Sequence, residues 1–117
     1  MRIMTKSDTF LAEFELYVML AVARLGEDAY GVTIRREIEE RTGRPVSVGA
    51  LYATLARLGD KRLVAFRVSD PLPVPGGRSR KYCRLTKQGR TALAHSATML
   101  ARMMDGLDVV TATGGNA

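Results

Sequence analysis

Five residues within eleven positions are the best equipped in this chain to act on another molecule: Ser47, Gly49, Ala50, Tyr52 and Arg57. They hold no acid–base or nucleophile pair. They offer a hydroxyl, two side chains small enough to let a backbone come close, one phenol and one guanidinium. Set along a helix, these groups suit double-stranded DNA. Gly49 and Ala50 leave the rod slim enough to enter a groove. Tyr52 can hydrogen-bond a phosphate or pack on a thymine methyl, and Arg57 can rest on the backbone. A merely solvated helix face would usually carry Glu and Lys pairs instead.

The residues between them supply the helix. Val48, Leu51, Leu55 and Leu58 recur at offsets of three, four and three, which places them on one face at 3.6 residues per turn. Ser47 stands before the pattern as a cap for free N–H groups, and the helix finishes near Gly59.

Other reactive residue types are isolated. Cys83 and His95 are each the sole residue of their kind, twelve positions apart and without a third partner. They form no disulfide, zinc set or Cys–His pair. Cys83 reads as a small buried strand hydrophobe and His95 as a polar helix position. Glu37, Glu39 and Glu40 read as a helix surface. No phosphate-cradling glycine loop is present. The expectation is a non-enzymatic protein with no metal and no cofactor.

Charge points to a polyanion. Between Arg35 and Arg90 stand 14 Lys or Arg against five acids, whereas the whole chain nets only +6. Neutralised phosphates release counterions, which drives such a segment onto nucleic acid. The ordinary reading of the same surplus is solubility. At 117 residues, 46% hydrophobic and without Trp, the chain has enough apolar matter for one modest aliphatic core. The longest apolar run, Leu16 to Ala23, is too short to span a bilayer. No signal-peptide pattern follows it, so a cytoplasmic chain without a membrane partner is expected.

The elements follow in order. A first helix runs from about Thr9 to Leu25, with Ser7 or Asp8 as cap and Gly26 as stop. Its apolar residues, Phe10, Leu11, Phe14, Tyr17, Val18, Leu20, Ala21 and Leu25, exceed one stripe. It lies either at the centre of the domain or between its own domain and a second subunit. A second helix runs from about Ala29 to Thr42, capped by Asp28, with Val32, Ile34 and Ile38 as its apolar side. After the third helix, Leu63–Val68 and Arg80–Leu85 read as strands. The loop between them contains Pro71, Pro73, Pro75, Gly76 and Gly77. The pair makes a β-hairpin whose cations Arg78, Arg80 and Lys81 suit phosphate contact, or else a plain solvent loop. Thr86 caps a last helix, Lys87 to about Leu107. There Leu93, Leu100 and Leu107 recur every seven residues, with Ala97, Met103 and Met104 adding apolar area. That seam either meets a partner helix or packs on the domain.

Three helices, a hairpin and a last helix give a mainly α fold with a small β-hairpin, the winged helix-turn-helix order. Residues 1–85 form the winged unit, 86–110 a C-terminal dimerisation helix and 111–117 a flexible tail. Ala29-Tyr30-Gly31-Val32, Val48–Leu55, Leu58 and the run Arg78–Arg90 together resemble the PadR family of bacterial transcriptional regulators, over roughly residues 13 to 95. The resemblance implies a homodimer that binds operator DNA, usually as a repressor, with a C-terminal helix that joins the subunits and sometimes borders an effector pocket. By position it places Ser47, Gly49, Ala50 and Tyr52 against the major groove. It places Arg78, Arg80 and Lys81 at the wing base, and Tyr30, in a Tyr-Gly motif, near the backbone. With the apolar faces of the first and last helices, a dimer interface is expected at Phe10, Leu11, Phe14, Leu93, Ala97, Leu100, Met103, Met104 and Leu107. The chain departs from many relatives in lacking Pro at Val48 or Gly49, in carrying Cys83 where a second Tyr is usual, and in having no Trp for a flat aromatic ligand site. The expected function is therefore a sequence-specific DNA-binding regulator, a homodimeric repressor on a palindromic operator. The competing reading is a helix-mediated interaction module without DNA. No effector is assigned.

Overall fold

The computed structural model describes residues 11–71 and 73–109. Helix α1 spans Glu13–Leu25, four residues short of the expected start. Ser7, Asp8, Thr9 and Phe10 lie outside the described residues. Within them, the free N–H of Ala12 donates to Glu15 Oε1 at 3.0 Å, so a glutamate reaching back does the capping. Gly26 stops the helix at φ 58°, as expected, and one 3₁₀ turn, Gly26–Asp28, follows.

Helix α2 spans Gly31–Thr42 and starts two residues later than the sequence suggests. Tyr30 is its N-cap, and the Tyr30 N–H donates to Thr33 Oγ1 at 3.0 Å. The backbone carbonyl of Asp28, and not its side chain, accepts from the Thr33 hydroxyl at 2.6 Å. Helix α3 spans Val48–Asp60. Ser47 caps it by accepting from the Ala50 N–H at 3.1 Å. It closes with Arg62 left-handed at φ 63°. There the Arg62 N–H donates to Gly59 and the Leu63 N–H to Leu58, each at 2.9 Å.

Strands β1 (Val64–Val68) and β2 (Lys81–Leu85) pair antiparallel, from Val64 opposite Leu85 to Val68 opposite Lys81. The Cys83 N–H also donates to the Ala29 carbonyl at 2.8 Å, which ties the hairpin to the lead-in of α2. Helix α4 spans Lys87–Met104 with Thr86 as cap, accepting from the Gly89 N–H at 2.9 Å. No helix among the described residues is long and apolar enough to cross a membrane.

The core gathers Val18, Met19 and Val22 of α1, Ile34 and Ile38 of α2, Leu51, Leu55 and Leu58 of α3, with Leu63, Cys83, Leu85 and Ala92. Burying each large aliphatic side chain is worth about 1.5–3 kcal/mol. Two expected core residues stand outside it. Val48 is 49% exposed, because the whole first turn of α3, Ser47 to Ala50, projects past the surface that buries Leu51. Thr54 takes the vacated place in the buried stripe and satisfies its hydroxyl with Arg57 Nη2 at 3.0 Å. Val32 likewise faces out, leaving Ile34 and Ile38 to hold α2.

Glu15 is only 4% exposed. A buried carboxylate is tolerated only with partners. Glu15 has Lys61 Nζ at 3.1 Å, Arg57 Nε at 3.8 Å and the Ala12 N–H. One side chain thus caps α1 and ties it to the C-terminal end of α3.

Candidate nucleic-acid interface

The middle of α3, at Tyr52 and Leu55, and the hairpin stand on either side of one groove. Its walls include Tyr30 and Gly31 of the α2 start, Tyr52 of α3, Phe66 of β1 and the segment Gly76–Lys81 of the wing. Ser69 closes the wing loop: its Oγ accepts from the Arg80 N–H at 2.9 Å, and its N–H donates to the Arg80 carbonyl at 2.8 Å. The loop therefore leaves the sheet as a closed arm.

Cations in the groove rest on rings. The Arg80 guanidinium lies 4.4 Å over the Tyr30 ring and Lys81 Nζ lies 4.4 Å over Phe66. Tyr30 meets Tyr82 edge-on at 5.5 Å, and Arg67, opposite Tyr82 in the hairpin, lies 4.7 Å over that ring. A cation over an aromatic face is attracted by the ring quadrupole while its other side stays open. The Tyr82 phenol beside Arg80 raises its pKa further above the ordinary value, and the guanidinium is a positive charge at any ordinary pH. Cys83 is buried behind these groups, and desolvation pushes its thiol up to about 11 despite nearby Lys81. It is an inert core residue at neutral pH.

Of the residues singled out from the sequence, Tyr30, Tyr52, Arg78, Arg80 and Lys81 are brought together in this groove. Tyr52 is 52% exposed, and a Cβ placed on Gly49 would meet only open space. Ser47 and Ala50, both exposed, line a separate hollow beside Phe14 and Pro45. Arg57 lies outside the groove: it turns to Glu15 and Thr54, where it compensates a buried carboxylate. The sequence reading missed Glu15, Gly31, Phe66, Arg67 and Tyr82. A glycine at the first position of a helix was the one available signal, since only a close neighbour gives a reason for it there.

The residues assigned to the dimer interface divide. Leu11 is buried in its own protomer's core, and Phe14 and Leu93 are partly buried against that core. Ala97, Leu100, Met103, Met104 and Leu107 are exposed. Phe10 lies outside the described residues.

A capped helix with a bare leading turn, a helix set against it and a cation-bearing hairpin define a winged helix-turn-helix protein. The chain belongs to the transcriptional regulator PadR-like family, whose profile matches residues 19–95. It is 28% identical over 108 residues to an uncharacterised protein of Lysinibacillus sphaericus, covering 91% of this chain and 94% of that one. Its fold is that of a PadR-like transcription factor from Bacteroides fragilis (TM-score 0.68, 23% identity, 83% of this chain and 88% of the other). A PadR family transcription regulator from Clostridium difficile R20291 is similar in fold (TM-score 0.67, 23% identity, 80% and 96%).

Proposed function

We propose that this chain is a sequence-specific regulator that represses transcription in the cytoplasm as a homodimer on a palindromic operator. The observation that carries the DNA contact is the shared groove. Tyr52 stands exposed in it with Arg78, Arg80 and Lys81 of the wing, and the exposed turn Ser47 to Ala50 lies just before Tyr52 on the same helix. The turn enters the major groove, with Tyr52 at a base edge or phosphate, while the wing cations take phosphates. Leu100, Met103, Met104 and Leu107 form the contact between subunits and set two α3 helices about 34 Å apart, one turn of DNA. Repression is the direction that the family resemblance implies. A docking module without DNA would leave the ring-seated cations without a purpose.

Footprinting of the DNA upstream of the gene at two salt concentrations tests this reading. A protected site with two-fold symmetry is expected. Tyr52→Ala should weaken operator binding by about 1–3 kcal/mol and leave non-specific binding intact. Neutralising Arg80 and Lys81 together should lower the salt slope by about one for each phosphate that is no longer paired with a cation. Unprotected DNA at both salt concentrations would sink the proposal.

A further inference from the structure

We infer that the Tyr30–Gly31 pair at the start of α2 is a positioning element, setting where Tyr52 and Arg80 stand relative to each other before DNA arrives. The inference rests on the proposed function. It assigns to this pair a role in the free protein, separate from any contact of its own with DNA.

Two adjacent residues touch the two halves of the groove. Gly31 faces Tyr52: a Cβ at that position would overlap the Tyr52 hydroxyl and stand 3.0 Å from its Cζ. The tyrosine therefore lies across bare backbone, and any side chain on Gly31 must push it away. Gly31 has no left-handed backbone to require glycine, since its φ falls outside that range. The absent side chain is needed for space. Tyr30 holds the other half, with its ring beneath the Arg80 guanidinium and its edge against Tyr82. The pair itself is fixed. Thr33 accepts from the Tyr30 N–H, and the Ala29 carbonyl, one residue earlier, accepts from Cys83 of β2. The groove partner from α3 and the phosphate partner from the wing thus share one footing. Side chains ordered in the free protein lose less freedom on binding, so such a footing raises affinity without contacting DNA.

Two double-mutant cycles, with stability followed by circular dichroism, test this. Gly31→Ala should shift the Tyr52 ring signals in the NMR spectrum of the DNA-free chain. It should weaken operator binding about tenfold, but less than about threefold in the Tyr52→Phe background, where the overlapping hydroxyl is gone. Should Gly31→Ala fail to fold, restoration of folding by Tyr52→Phe supports the contact, and failure to restore it overturns it. Unmoved ring signals, or equal losses in both backgrounds, overturn the role of Gly31. In the second cycle, Tyr30→Leu and Arg80→Gln should each lower the salt slope by about one, and the double variant by no more than either. Additive losses overturn the role of Tyr30. A wild-type chain that binds no DNA defeats the proposed function instead, and the ring signals still report whether the contact exists.

Discussion

The wing groove and the far end of α4 both expose large side chains, but they hold them differently. In the groove, each prominent group lies on a neighbour in its own chain: Tyr52 across Gly31, Arg80 over Tyr30 and Lys81 over Phe66. Toward the end of α4, Leu100, Met103 and Met104 are exposed, Met103 to 76%, and none belongs to the hydrophobic core or its fringe. The first region has met its ordering cost in folding. The second keeps apolar side chains in water, on the surface that the proposed subunit contact would cover. The contrast teaches which exposed side chains the fold itself holds in place and which it leaves without support from the core.

The strongest way to break the contrast is at the root that both regions share. A Cβ on Gly89 would overlap the Leu63 carbonyl oxygen, where neither backbone can give way. Gly89→Ala should cost more than about 3 kcal/mol and abolish a cooperative thermal transition. A variant that melts like the parent would show that the root of α4 is not fixed. A smaller change sharpens the contrast: Leu100→Asp with Met103→Asp should leave the melting transition nearly in place. By sedimentation, it should convert a dimer into monomers, because a charge in an apolar contact is not compensated. A parent chain that is itself monomeric at every concentration would leave the α4 surface without its proposed partner.

The smallest expected effect concerns the residue buried behind the groove. The Cys83 pKa rises from its ordinary 9.0 to about 11 on folding, because burial disfavours the thiolate. The raised value means that the folded chain holds the proton more tightly than the unfolded one. The resulting stability is fully present below pH 9 and is lost as pH rises toward 11. Cys83→Ala should flatten that part of the pH dependence of the melting temperature. An unaltered slope across that interval would place the thiol in water.

Much of this was legible in the residue types. The α3 cap at Ser47, the α4 cap at Thr86, the stop at Gly26 and the Pro/Gly-tipped hairpin are local signals, and the structure shows each of them in place. The errors arose where distant residues decide. Val48 fits the apolar stripe of α3 by spacing, yet it stays half-exposed on a turn that the core does not cover. Arg57 reads from the sequence as a phosphate anchor, and the fold also sets it beside the buried Glu15, 42 positions earlier, a pairing that spacing does not announce. The start of α1 is a local exception, set by Glu15 reaching back three residues to cap Ala12. Within the groove, the cations were visible from the sequence and the rings beneath them were not, since stacking of Tyr30 on Arg80 depends on a fold that brings two elements together.

The base of α4 is joined to the turn between α3 and the wing at two atoms: the Thr86 hydroxyl donates to the Arg62 carbonyl at 2.7 Å and the Thr86 N–H to the Leu63 carbonyl at 3.1 Å. From that joint the helix extends about 27 Å at about 1.5 Å per residue. It is a rod seated at the root of the wing. A tilt of about five degrees at that seat would displace the tip about 2 Å over that length.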